Sequence, residues 1–367
     1  MRGSIRRRGK SSFEIRIELE RINGKRRSRS VYVRGTYKDA QRELTKLLTA
    51  ADAGTLPEPS RDTVAAYLRN WLDSTLGLSP KTLERYRELA VRQIIPHVGE
   101  IRLQKLTPER LEQWHAALIK GGLSARTVGH AHRVLSAALT RAVENGTLAR
   151  NVARVRKPPK VEDQEVEIVP EIARKVILEG LVDSPLYPIV CLALATGMRR
   201  GELLALGWSD IDLDRGVVRI ERSVEETRAG LRIKPPKTKR GRRNIGIASD
   251  AVAMLREHRK RQIELRLRLG QGGQPTLVFS TPEGQLLSPD NLSRDWIRMC
   301  KARKLPRYRF HALRHTHVSL LIASGMDILK ISRRLGHDKP TTTLNVYGHL
   351  IKDRDDEAVK ALEGLLK

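Results

Sequence analysis

Long apolar runs, cysteines, aromatics and acidic charge are all scarce in this 367-residue chain. The longest apolar stretch, residues 189–195 (IVCLALA), falls far short of the roughly 18 residues that a spanning helix needs, so a membrane protein is excluded. The N-terminus, MRGSIRRRGK, is basic but has no apolar stretch behind it; a secretory leader is not expected, and a bacterial cytoplasm is the expected location. Two cysteines, Cys191 and Cys300, form neither a disulfide framework nor a Cys-rich zinc site, which points to a reducing compartment. With aromatics at 4%, single-strand binding by base stacking lacks its platforms.

What is abundant is positive charge. Seventy Lys and Arg stand against 42 Asp and Glu, for a net charge of +28. Such an excess points to a polyanion, because neutralised phosphates release counterions and drive binding; duplex DNA is the favoured partner. At 40% hydrophobic residues the chain still buries sizeable cores. Its length suggests two to three domains.

Residues 1–54 read as a sheet with one helix. Phe13, Ile15, Ile17 and Leu19 alternate with charged residues, Asn23-Gly24 is a turn signal, and a second extended run ends at Val33. Residues 4–8 supply a third strand. Thr36 and Asp39 resemble a capping box ahead of Ala40, Leu44, Leu47, Leu48 and Ala51, with Gly54 as the stop.

After a Pro-containing linker, residues 61–150 read as a helical bundle, with Ser79-Pro80, Thr107-Pro108 and Ser124 as helix starts and Asn145-Gly146 as a stop. A second linker is expected over residues 151–167. Residues 165–367 are mixed, with strands expected at 217–220, 231–233 and 244–247 among helical periodicities. On the bundle, His130 and His132 read as structural or DNA-facing, and Cys191 as a core residue.

Three features of this last region carry chemistry. TGMRRGE (residues 196–202) closes one apolar helix and opens another. LRIKPPKTKRGRR (231–243) has seven basic residues in thirteen and no acidic one, and reads as a hairpin touching phosphate. His311-Ala312-Leu313-Arg314-His315 is followed by Leu335-Gly336-His337 and Tyr347. His311, His315 and His317 lack the Glu of a zinc HExxH motif, and Arg314 would repel a dication, so no metal is expected.

In order and together these residues resemble the tyrosine recombinase (phage integrase) family over about residues 165–350, and more loosely over the bundle and N-terminal module. The resemblance implies a fold that is mainly α with small β-sheets: an arm-type DNA-binding module, a helical core-DNA-binding domain and a mixed α/β catalytic domain, the last two clamping duplex DNA. It places Arg199, Lys237, His311, Arg314, His337 and the nucleophile Tyr347 in the active site, with Glu202 supporting. Lys234 and Lys239 lie close enough to Lys237 to compete for the lysine's place.

The chemistry fits those residue types. Cleaving a phosphodiester needs cations that brace the non-bridging oxygens, and the guanidinium fork of Arg199 or Arg314 does so bidentately, with His337 as a further donor. A phenol with a pKa near 10 needs a base or positive field, for which His311 is the candidate. Lys237 would protonate the leaving 5′-oxygen. The bond energy stored in a 3′-phosphotyrosine makes religation independent of ATP or any other cofactor.

The implied activity is integration and excision of a phage or mobile element. The candidate DNA contacts are Arg16, Arg27 and Arg29 in the arm module and Lys239, Arg240 and Arg242 in the basic segment. A terminal helix after Asp355, with Val359, Leu362, Leu365 and Leu366 on one face, would dock on a neighbouring protomer in a homotetramer on DNA; an excisionase and a host DNA-bending protein are further partners of this family. Two alternatives are a DNA-binding or architectural protein that keeps the fold without the chemistry, for which Tyr347 has no use, and a type IB topoisomerase, which has no need of an arm module.

Overall fold

In the computed structural model, described over residues 3–22, 25–52, 56–57, 60–162, 165–236 and 238–351, the chain divides into two compact units, Met1–Glu162 and Asp163–Lys367. The first unit holds two separate hydrophobic cores. The smaller belongs to an antiparallel sheet of β1 (Gly3–Gly9), β2 (Ser12–Ile22) and β3 (Lys25–Arg34), in that order, covered by α1 (Tyr37–Asp52). The period of two along β2 sends Phe13, Ile15 and Ile17 beneath α1, where they are buried with Ala40. The other face keeps Glu14 and Arg16. The expected capping box forms, with the Thr36 N–H donating to Asp39 Oδ2 at 2.8 Å and the Asp39 N–H to Thr36 Oγ1 at 3.3 Å. Asn23-Gly24 and Gly54 lie outside the described residues.

The larger core belongs to a bundle of α2 (Val64–Ser74), α3 (Pro80–Leu89), α4 (Ile95–Val98), α5 (Pro108–Lys120) and α6 (Ala125–Glu144). Ser79, Thr107 and Ser124 cap their helices as expected, each accepting a backbone N–H three residues on. Between α3 and α4 the chain widens into a π-turn, Ala90–Ile94. Pro96, in the first turn of α4, cannot donate, and its ring crowds the carbonyl four residues back, so the turn opens; Trp114 Nε1 donates to the Gln93 carbonyl there at 2.7 Å. His132 is buried and shares a 3.1 Å hydrogen bond with His115, whereas His130 is exposed. The chain stays on the bundle to Arg154, because the Asn151 amide donates to the Ser136 carbonyl and Thr140 Oγ1, both at 2.8 Å, and Ala153 enters the core.

The second unit contains α7 (Glu171–Glu179), α8 (Tyr187–Thr196), α9 (Arg200–Leu204), β4 (Ile211–Asp212), β5 (Val217–Ile220), β6 (Ser223–Thr227), β7 (Gly230–Lys234), β8 (Arg243–Gly246), α10 (Ser249–Arg268), α11 (Pro289–Ala302), α12 (Ala312–Ala323), α13 (Ile328–Leu335) and α14 (Pro340–Tyr347). Leu192, Leu203, Trp296, Cys300 and Leu313 sit in its main core; Val318, Ile331, Leu335 and Tyr347 form a smaller one. Cys191, expected in the core, is only partly buried.

The basic segment differs from its expected form. β7 pairs with β6, while β8 pairs with β5 in a different sheet of order β4-β5-β8. β7 and β8 are therefore not the two arms of one hairpin. β6 (SVEET) escaped the sequence reading because its residues are mostly polar and show no clear alternation. Among the described residues no helix is long and apolar enough to cross a membrane.

Candidate active site

The site grows from the ends of α8, α12, α13 and α14. α8 stops at Gly197, whose left-handed φ of 63° suits glycine, and a Cβ there would lie 2.5 Å from His317 Cδ2. The reversal leaves Arg199 as the N-cap of α9. Its backbone N–H donates to Glu202 Oε2 at 2.9 Å, Nη1 reaches Glu202 Oε1 at 2.8 Å, and Nη2 reaches the Gly336 carbonyl at 3.3 Å. The Arg199 side chain is still 41% exposed.

Glu202, 3% exposed, also receives Arg243, whose Nη2 and Nη1 meet the two carboxylate oxygens at 2.9 and 3.2 Å. Burial pushes the Glu202 pKa up, but the Arg243 hydrogen bond and charge, with Arg199, more than offset it and hold the carboxyl below its ordinary range. Arg243 is itself 6% exposed and donates from Nε to the Arg334 carbonyl at 2.6 Å.

Arg314, in the first turn of α12, is 4% exposed. It donates to the carbonyls of Gly197 (2.5 Å) and Leu335 (3.0 Å) and to His337 Nε2 (2.9 Å). Since a guanidinium only donates, His337 Nε2 accepts, and its proton is on Nδ1, 2.8 Å from Thr343 Oγ1. Burial, then Arg314, Arg199 and Arg243, press the His337 pKa down to about 4, so the ring is neutral at pH 7. Burial and Arg199 lower the Arg314 pKa to about 9, which leaves it charged. Three guanidiniums thus face one carboxylate, an excess of positive charge suited to an anion.

His311, as N-cap of α12, keeps a solvent-facing edge. Its packed surroundings, then His315 and the nearby arginines, hold its pKa near 4. Tyr347 closes α14 and is 2% exposed; burial raises its pKa to about 12 against the opposing charge of Arg314. The partner of its hydroxyl is His315, whose Nδ1 lies 2.7 Å away. His311 meets the His315 ring edge-on at 4.8 Å. His317 is held by the Leu194 carbonyl at 2.8 Å and Arg334 Nε at 3.1 Å.

The remaining candidates are more scattered. Lys237 lies outside the described residues, as does the Lys239 side chain. Lys234 is ion-paired with Glu225, which Arg232 also holds at 2.6 Å. Arg240 donates to the Asp338 carbonyl at 2.5 Å, and Arg242 is exposed. In the N-terminal sheet Arg16 lies on the face away from α1, bonded to Ser28 Oγ at 3.0 Å. Arg29 pairs in register with Ile17 and donates to the Pro57 carbonyl at 2.7 Å, on the α1 side. The Arg27 side chain is outside the described residues. Sequence reasoning gave no role to Arg243, Thr343 or His315. Only His315 carried a signal, being four residues after His311 and so on the same helix face.

The phage integrase family profile matches residues 165–354, and the N-terminal SAM-like domain of phage integrases matches residues 63–119. A "Tyrosine recombinase XerC-like" protein of Caldanaerobacter subterraneus is 27% identical over 97% of each chain. The ICEBs1 integrase of Bacillus subtilis is 32% identical over 78% of each. Among solved structures, a Tn1549 transposon integrase fragment in complex with transposon right end DNA superposes with a TM-score of 0.68 at 21% identity, covering 83% of this chain and 100% of that one. A lambda integrase tetramer bound to a Holliday junction gives 0.59 at 19% identity over 96% of each chain. This chain belongs to the phage integrase family and is a tyrosine recombinase, an enzyme of site-specific DNA recombination in phages and mobile elements.

Proposed function

We propose that Tyr347 attacks a phosphodiester of duplex DNA braced by Arg199 and Arg314, leaving a 3′-phosphotyrosine and a free 5′-hydroxyl, and that the reverse reaction with another strand completes exchange. The observation that carries this reading is Arg314, which ties the turn after α8 and the end of α13 together and acts electrostatically on Tyr347. The arginine forks provide the fixed positive charge that such a transition state needs. Tyr347 is 2% exposed, so DNA binding must uncover its hydroxyl while leaving the contact with His315 in place.

Lys237 is the general acid in this scheme. Further along the chain Arg240 is bonded to Asp338 and Arg243 to Glu202, beside the site, while Lys234, ahead of Lys237 in the sequence, is engaged by Glu225. Tyr347→Phe should abolish recombination between paired attachment sites while binding duplex core sites with unchanged affinity. Recombination by that variant would overturn the assignment.

The exposed face of the N-terminal sheet, with Arg6, Arg8 and Arg16, fits a second class of DNA site, whereas the engagement of Arg29 with Pro57 speaks for a structural part. The bundle has its own core. A protein starting near Ser60 should therefore still cleave core sites and lose arm-site binding in gel shifts; equal binding to both site types would contradict the module's role. The lambda integrase tetramer supports assembly of four protomers on DNA. Residues 352–367, the proposed docking tail, lie outside the described residues. An excisionase, a DNA-bending host protein and a place on the bacterial chromosome complete the reading.

A further inference from the structure

One histidine beside the nucleophile has no part in the scheme so far. His315 follows Arg314 on α12, and its Nδ1 lies 2.7 Å from Tyr347 Oη, with the two rings tilted at 54° and 5.6 Å apart. A neutral phenol donates in such a pair, so Nδ1 offers its lone pair to the proton that must leave before the oxygen can attack. His311 packs edge-on against His315.

The charges around His315 are mixed. Burial, then Arg314, hold the His315 pKa below its ordinary value, whereas the Glu167 carboxylate favours the charged ring. Glu167 is fixed beside α12 by two bonds: its Oε2 accepts the Arg309 N–H at 2.9 Å, and the Val169 N–H, two residues on, donates to Thr316 Oγ1 at 2.8 Å. Val166 packs into the small core that contains Tyr347. The first residues of the second unit thus lie alongside the nucleophile and its histidine.

We propose that His315 is the general base of the cleavage step, accepting the Tyr347 phenolic proton on Nδ1, with Glu167 as a positioning residue that steadies the resulting imidazolium. As the Oη–P bond forms, the P–O5′ bond breaks and the leaving oxygen takes its proton from the general acid. On religation the DNA 5′-hydroxyl returns its proton to the general acid as the O5′–P bond forms and the Oη–P bond breaks, and His315 returns its proton to Tyr347. The inference rests on Tyr347 being the nucleophile.

The test compares full-length wild type, His315→Gln and Tyr347→Phe on a nicked duplex carrying the joined ends of the element, with gel shifts to confirm binding. Formation of the SDS-stable adduct is timed from about pH 6 to 9.5. Loss of a general base should slow His315→Gln at neutral pH by at least about 100-fold. The deficit should shrink as rising pH ionises the phenol without help, and 3,5-difluorotyrosine at position 347, a more acidic phenol, should restore at least about tenfold. A deficit constant across pH with no rescue by the fluorinated phenol would make His315 only a tether and overturn the proposal, as would an unchanged rate. An adduct surviving in Tyr347→Phe would instead bring down the nucleophile assignment itself. Glu167→Gln should give a smaller deficit of the same pH dependence, since it acts only through His315.

Discussion

Arg314→Lys should slow DNA cleavage by about 100-fold, equivalent to about 2.7 kcal/mol of lost transition-state stabilisation, while core-site binding stays within a few-fold of wild type. The native guanidinium donates at once to Gly197, Leu335 and His337, and those three contacts fix its plane and the tautomer of His337. A lysine has one nitrogen with which to replace a rigid fork, so it cannot span the two carbonyls, orient His337 and still grip a phosphate. Binding draws on many phosphate contacts spread over a chain of net charge +28, so one retained positive charge suffices for it. Single-turnover cleavage of a nicked core site checks this. Wild-type rates in the variant would show that positive charge alone, and not the fork, carries catalysis.

Glu202→Gln should destabilise the second unit by about 3 kcal/mol, because removing one member of a buried ion pair leaves its partner charged and uncompensated. The partner left uncompensated is Arg243, at 6% exposure beside a carboxylate at 3%; the Arg199 contact, being 41% exposed, adds little. For a unit of this size the loss corresponds to roughly 6 to 12 °C in the melting transition. The pH dependence has a definite sign. The folded pKa of Glu202 lies below its unfolded value, so its contribution is fully present above the unfolded pKa, near 4.3, and fades as pH falls through the folded pKa. The gap between wild type and variant should therefore be widest near neutrality and close in acid. Equal melting temperatures at pH 7 would contradict the ion-pair account.

Much of this architecture was legible in the sequence because it rests on local rules. The alternation through Phe13, Ile15 and Ile17, the capping residues Thr36, Ser79, Thr107 and Ser124, and the helix-ending Gly197 each act within a few residues of their own position. The arginines and Tyr347 were legible through motif order. What stayed hidden depends on contacts between distant segments. That β7 and β8 belong to different sheets is decided by their partners β6 and β5, not by their own residues. Arg243 resembled any other cation in a basic run until Glu202 was placed beside it, 41 residues away. His311 and His315 share a helix face, and spacing alone does not say which of them meets a tyrosine on α14.

Whether Tyr347 becomes joined to DNA is settled by incubating the protein in EDTA with a nicked duplex carrying its element's own joined ends, denaturing in SDS, and mapping the modified peptide by mass spectrometry. The expected product is a DNA 3′-phosphate on the peptide containing Tyr347, formed without divalent metal and absent from Tyr347→Phe. An adduct on another residue, or cleavage that requires metal and leaves no adduct, would contradict it.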